Sequence, residues 1–219
     1  MDIAIVLYDG FDNLDAIGPF EVFNHAHTFG ADVDVGLYTL APQEVVTSSH
    51  GLRVQPDGVL TDEQSQASGD ADGPATATAG VPDIVVVPGG GWGKRAETGA
   101  WGEAQRGDLP DALARLHAAG STVAAVCTGG MLLARGGITD GRPAVTHHGA
   151  LDDLRDSGAE VVDVRVVDDG DVVTAGGVTS GIDLALHLVE REFGQDVATR
   201  VATVMEYEPR GQVYETEAK

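Results

Sequence analysis

Short, unbroken apolar runs recur along the chain, each cut off by Gly, Pro or Asp, and between several of them the apolar residues return at helical spacing. Ile3 to Leu7, stopped by Asp9-Gly10, reads as a strand buried on both faces, since a strand with one wet face alternates instead. Leu14, Ile17, Phe20, Val22, Phe23 and His27 then recur near helical spacing, with Pro19 early enough for a first turn. Val33 to Leu40 alternates as a second strand. After the turn at Ala41-Pro42-Gln43, Val45-Val46 and Leu52-Arg53-Val54 predict a short antiparallel excursion. Ile84 to Val87, Thr122 to Val126, Ala144 to Thr146, Val161 to Val167 and Val172 to Ala175 predict further strands. Leu109 to Ala119, Ile182 to Phe193 and Gln195 to Met205 predict helices, the second entered through Thr179-Ser180 as a cap. Residues 61 to 80 carry almost no large apolar side chain and predict a mobile loop. Strands alternating with helices place the chain in the α/β class, with a mostly parallel sheet covered on both faces.

Composition narrows this picture. A chain of 219 residues suits one large domain spanning residues 1 to 219. A single cysteine excludes a disulfide framework and a thiolate zinc cage. The first residues lack a basic leader, and no run is long enough to span a bilayer, so the expectation is a cytoplasmic protein. Acidic residues number 35 against 13 basic ones, a formal net charge of -22, and only Lys94 and Lys219 are lysines. Such a field repels phosphate backbones and anionic lipid, which argues against nucleic acid or a membrane as partner and leaves a polycation-binding protein or a surface adapted to salt. The acids are scattered through ordinary elements, as on a surface adapted to a salty cytosol where ions screen self-repulsion. Thermal unfolding is therefore expected to fall to lower temperature on going from about 3 M to about 0.1 M KCl; equal midpoints would remove the halophilic reading.

Candidate chemistry centres on the lone cysteine. Cys127 ends the apolar run Thr122 to Val126 and precedes the helix-like run Thr128 to Arg135. A sharp strand-to-helix turn lifts a side chain out of the sheet edge, and the helix end aims N–H groups at it, favouring thiolate. Ala-x-Cys-x-Gly is a relative of the small-x-nucleophile-x-Gly elbow. A lone cysteine also serves as a small buried hydrophobe. Asp15, Gly90, Cys127 and His147 all follow apolar runs that end at one sheet edge, where doubly wound sheets bind ligands. Pro88-Gly89-Gly90-Gly91 is either loop punctuation or a turn that lets a backbone N–H approach a reacting atom. Asp15 is either a helix-start residue or a reactive acid. Trp92 either caps the pocket or packs over the glycines. His147 and His148 point to opposite faces of an extended segment with no third ligand, which disfavours a metal. No cofactor is called for.

Asp15-Ala16-Ile17-Gly18-Pro19, Val87 to Gly91, Ala125 to Gly129, Ala144 to His147 and Ala175 to Asp183 together resemble the ThiJ/PfpI superfamily, most closely its isonitrile hydratase branch. The resemblance implies a flavodoxin-like three-layer α/β/α sandwich, usually a homodimer, with Cys127 as nucleophile on a strained elbow. It makes Asp15 the acid beside the thiol and the N–H groups of Gly90 and Thr128 the donors to developing charge. The Thr128 hydroxyl would position water, and His147, Gly91 and Trp92 would line or support the pocket. His148 departs from the branch, which carries a bulky aromatic there. The protease-like branch has His directly after the cysteine, where this chain has Thr128. The partner so implied is a small-molecule substrate, and glyoxalase or deglycase chemistry, or a redox or ligand sensor of the same fold, remains the alternative to a hydratase.

Overall fold

The computed structural model describes residues 1–61, 77–79 and 81–216. The first part of the chain runs β1 (Asp2–Val6), α1 (Asn13–Thr28), β2 (Asp34–Thr39), β3 (Val46–Thr47), β4 (Arg53–Val54), β5 (Gly58–Leu60), β6 (Ala77–Ala79) and β7 (Ile84–Val87). The middle holds α2 (Ala100–Arg106), α3 (Asp108–Ala118), β8 (Thr122–Val126), α4 (Gly130–Arg135), β9 (Pro143–Ala144) and α5 (Leu151–Asp156). It closes with β10 (Glu160–Val161), β11 (Val166–Asp168), β12 (Val172–Ala175), α6 (Ser180–Phe193), α7 (Gln195–Val204) and β13 (Val213–Glu215).

Among the described residues, nine strands form one sheet in the order β13-β11-β12-β8-β7-β1-β2-β5-β6. Neighbours are parallel except β11 and β12. The expected α/β class is what the chain adopts: a mostly parallel sheet with flanking helices. From β1 the chain builds outward through β2, β5 and β6, then returns to add β7, β8 and β12 on the other side. The order therefore reverses between β1 and β7, and such a reversal opens a crevice beyond the carboxyl ends of the strands.

Ile5, Val85, Val86, Ala124 and Val126 are fully buried, as the unbroken runs require. Helices α1 and α6 pack closely because small residues let them: a Cβ on Gly18 would lie 3.2 Å from Ile182 Cγ1, and one on Gly181 would lie 3.5 Å from Pro19 Cγ. Pro19 falls inside α1 and not in its first turn. Having no N–H, it leaves the carbonyl of Asp15 without its helical donor.

Three sequence expectations need correction. The segment 61 to 80 is not all loop, since Ala77–Ala79 forms an edge strand parallel to β5; residues 62–76 and 80 lie outside the described residues. Val161 to Val167 is not one strand. Glu160–Val161 pairs with β9 in a small separate sheet, Val164 N–H turns back to Val162 O at 2.9 Å, and Val166–Asp168 then joins the main sheet. Thr179 stands before α6 but does not cap it, because its hydroxyl accepts from Arg165 Nη2 at 2.9 Å. No helix among the described residues is long and apolar enough to cross a membrane.

Candidate functional site

Cys127 is the first residue of a 3-10 turn, Cys127–Gly129, that joins β8 directly to α4. Its φ is +56°, in the left-handed region that a residue with a Cβ enters at a cost. The surroundings pin it there. Its N–H donates to Gly176 O at 2.9 Å, and its carbonyl accepts from Thr146 Oγ1 at 2.8 Å. Small neighbours make the bend possible, since a Cβ on Gly129 would lie 2.1 Å from Val87 O. The backbone N–H groups of Thr128 and Val178 both donate to the sulfur. Val178 also has a positive φ, +38°, which is rare for a β-branched residue and turns its N–H toward the sulfur.

Asp15 lies in the first turn of α1, three positions after the true N-cap, Asp12, whose side chain accepts from Leu14 N–H at 3.2 Å. The Asp15 side chain is fully buried. Oδ2 accepts from Gly89 N–H at 2.9 Å, the carboxyl is hydrogen-bonded to Cys127, and Oδ1 has no hydrogen-bond partner among the described residues. Burial, reinforced by the Asp12 charge, pushes its pKa up to about 8. Burial and the Asp15 charge push the Cys127 thiol up to about 12, against the two amide donors. This corrects the expected thiolate. A short turn and its N–H groups do not outweigh desolvation plus a carboxylate neighbour, so the resting pair keeps its protons and carries at most one negative charge between its two groups.

The glycine turn after β7 packs on this pair. A Cβ on Gly89 would stand 2.5 Å from Thr128 N and 2.6 Å from Thr128 Oγ1, so only glycine fits between elbow and acid. Gly90, at φ +130°, donates its N–H to Thr128 Oγ1 at 2.9 Å. That N–H was expected to face developing charge; here it orients the hydroxyl, leaving the hydroxyl proton to donate. Gly91, at φ +71°, continues the turn. Trp92 does not stand free as a lid: it is buried, its Nε1–H donates to Asp153 Oδ2 at 2.6 Å, and it meets Trp101 edge-on at 5.0 Å. It ties the glycine turn to α5. His147 packs against Gly177, where a Cβ would meet its Cδ2 at 2.7 Å, and its ring lies 4.2 Å from that of His148. Burial and His148 hold the His147 imidazole below its ordinary value.

Comparison with known proteins agrees with this arrangement. The model of the DJ-1/PfpI family matches residues 1–191. The chain belongs to the DJ-1/PfpI family. It is 33% identical over 211 residues to isonitrile hydratase of Pseudomonas putida, covering 95% of this chain and 79% of that protein. It is also 28% identical to the HTH-type transcriptional regulator CdhR of Pseudomonas aeruginosa, covering 92% of this chain but 53% of the regulator. Among solved DJ-1/PfpI structures, a ThiJ/PfpI family protein from Pseudomonas syringae superposes with a TM-score of 0.75 at 25% identity, over 95% of this chain and 76% of that one.

Four further residues of this DJ-1/PfpI site escaped the sequence reading. Tyr8, just past β1, is buried with its hydroxyl donating to Pro88 O, and burial next to Asp15 drives its pKa well above the ordinary value. Its place at the end of a central strand was the available signal. Val178 directly follows a Gly-Gly pair, and nothing in that local sequence marks its N–H for the sulfur. Arg165 binds both Asp183 and Thr179, and Tyr207 donates to Asp183 Oδ2 at 2.9 Å, so the segment carrying Val178 is anchored from behind. Nothing in local sequence signals that network.

Proposed function

We propose that this protein is a cysteine-dependent hydratase of a small carbon electrophile, converting an isonitrile to an N-substituted formamide. The observation that carries the reading is the buried Asp15 carboxyl, raised to about 8, hydrogen-bonded to a sulfur that also receives two backbone N–H groups. Such a pair supplies nucleophile and acid within one contact. The reactive form holds one proton on Asp15 and the negative charge on Sγ. Sγ bonds to the terminal carbon while Asp15 delivers its proton to that same carbon, giving a thioimidate. Water then adds across the C=N bond, its hydroxyl to carbon and its proton passing through Asp15 to nitrogen. As the C–S bond breaks, the hydroxyl proton returns to Asp15 and the formamide leaves. The same reading puts the enzyme in a reducing cytosol as a homodimer, which light scattering would check.

The test follows formamide from a simple alkyl isonitrile, and lactate from methylglyoxal, with wild type and Cys127→Ala. The expected result is formamide from wild type and at least a 1,000-fold loss in the variant, on the order of what removal of a covalent nucleophile costs. Turnover that survives the substitution overturns the mechanism. Cysteine-dependent lactate without formamide would instead assign glyoxalase chemistry.

A further inference from the structure

Asp12 is a second carboxylate at this centre. It caps α1, its N–H donates to Gly89 O at 2.7 Å, and a Cβ on Gly90 would lie 2.8 Å from its nitrogen, so its backbone is locked to the glycine turn. Its side chain is 20% exposed, whereas Asp15, one turn farther along the helix, is fully buried. Asp12 therefore stands at the solvent side of the acid. Its charge acts on Asp15, Cys127, Tyr8 and His147, which come from four different segments of the chain. Among the leading influences on Cys127 the side-chain charges are Asp15 and Asp12, both acidic. His50, whose Nδ1 is 4.0 Å from Asp12 Oδ2, lies on the outer side and is exposed.

We propose that the Asp12 carboxylate is a specificity determinant that admits uncharged electrophiles to Cys127 and turns anionic ones away. The inference deepens the hydratase reading by naming the charge class of its substrate. An anion approaching the sulfur meets the Asp12 field inside a protein of net charge -22, with no cation among the leading influences on the sulfur to offset it. A neutral isonitrile meets neither penalty.

The test uses alkylation of the single cysteine in the full-length protein, followed by intact mass, with uncharged iodoacetamide and anionic iodoacetate. Each rate is normalised to that of a free small thiol. Asp12→Asn keeps an oxygen for the Leu14 N–H and removes the charge; Asp12→Ser, also a good cap, guards against a fold artefact of the first. The expected result is that either substitution raises the iodoacetate-to-iodoacetamide rate ratio roughly tenfold, and that about 1 M KCl narrows the wild-type discrimination. The ratio cancels any change in thiol ionisation, and a merely loosened pocket would speed both reagents alike. An unchanged ratio overturns the proposal, as does a sulfur that neither reagent reaches. In a second arm, isocyanoacetate and its methyl ester serve as anionic and neutral substrates. If both are inert while the alkylation ratio responds, the hydratase reading fails and the charge filter stands.

Discussion

Asp15→Asn is expected to lower isonitrile turnover by about 100- to 10,000-fold, the range over which a positioned acid contributes, while making the cysteine more reactive toward iodoacetamide above about pH 8, where the wild-type acid is ionised. The two effects separate because Asp15 does two opposite things to the sulfur. Its negative charge is the second-largest cause, after burial, of the thiol's rise to about 12, so once the wild-type acid has lost its proton its replacement lets the thiol ionise more readily. Its proton is the one that the substrate carbon needs, and an amide cannot supply it. Asparagine keeps an oxygen for the Gly89 N–H, so the 2.9 Å contact is replaceable and the fold should hold. If turnover and alkylation fall together, the loss is structural and the acid role is wrong.

Wild-type turnover should itself rise with pH through about 8, as the pair sheds its first proton and the one-proton form accumulates. Stability runs the other way. The folded Asp15 pKa is raised from 3.8 to about 8, so between these values the native state holds a proton that the unfolded chain has lost. Unfolding free energy must then fall as pH rises from about 4 to about 8. Asp15→Asn removes this dependence, so its melting temperature should overtake that of wild type at the alkaline end, read by calorimetry across that range. An active site more stable without its acid is the ordinary signature of a buried group kept for chemistry.

How much of this was legible in the sequence depends on what each residue's role requires. Ile3–Leu7, Ile84–Val87 and Thr122–Val126 were readable because strands covered on both faces are unbroken apolar runs, and that condition is local. Cys127 and the triple glycine were readable because each comes within two residues of the end of such a run, and Asp15 because it opens the helix that follows the first run, which puts all three at one sheet edge. The 3-10 turn at Cys127 and its positive φ follow from an elbow where the next residues are Thr-Gly-Gly. What stayed hidden depends on long-range placement. Val178 matters through a φ of +38° that a Gly-Gly-Val segment does not announce. The Gly90 N–H is spent on Thr128 because of a contact 38 positions away along the chain. The ionisation of Cys127 was misjudged because helix-end donors are visible in sequence, whereas the extent of burial and the nearness of Asp15 are not. Short edge pieces such as Ala77–Ala79 and Val213–Glu215 have little pattern of their own and exist as strands because a neighbour offers hydrogen bonds.

Gly129→Ala is expected to cost about 3–5 kcal/mol and to lower the melting temperature by roughly 10 °C, among the largest effects a single methyl group can have in a domain of this size. A Cβ at this position would lie 2.1 Å from Val87 O and 2.9 Å from Pro88 O. Both are backbone atoms, so no rotamer change relieves the contact and the end of β7 must move away from the elbow. That movement carries the Pro88-Gly89 peptide with it, and Gly89 is the residue whose N–H holds Asp15 and whose carbonyl takes the Asp12 N–H at 2.7 Å. The substitution should therefore remove turnover as well as stability, by parting the acid from the sulfur without touching either. Gly93→Ala is the matched control: it lies in the same glycine-rich stretch, has an ordinary φ, and a Cβ there meets nothing within 4 Å. It should leave both melting temperature and turnover close to wild type. Equal effects from the two substitutions would mean that glycine serves this loop through chain flexibility alone. A loss confined to Gly129 would mean that the close approach of strand end and elbow is what brings the acid to the thiol.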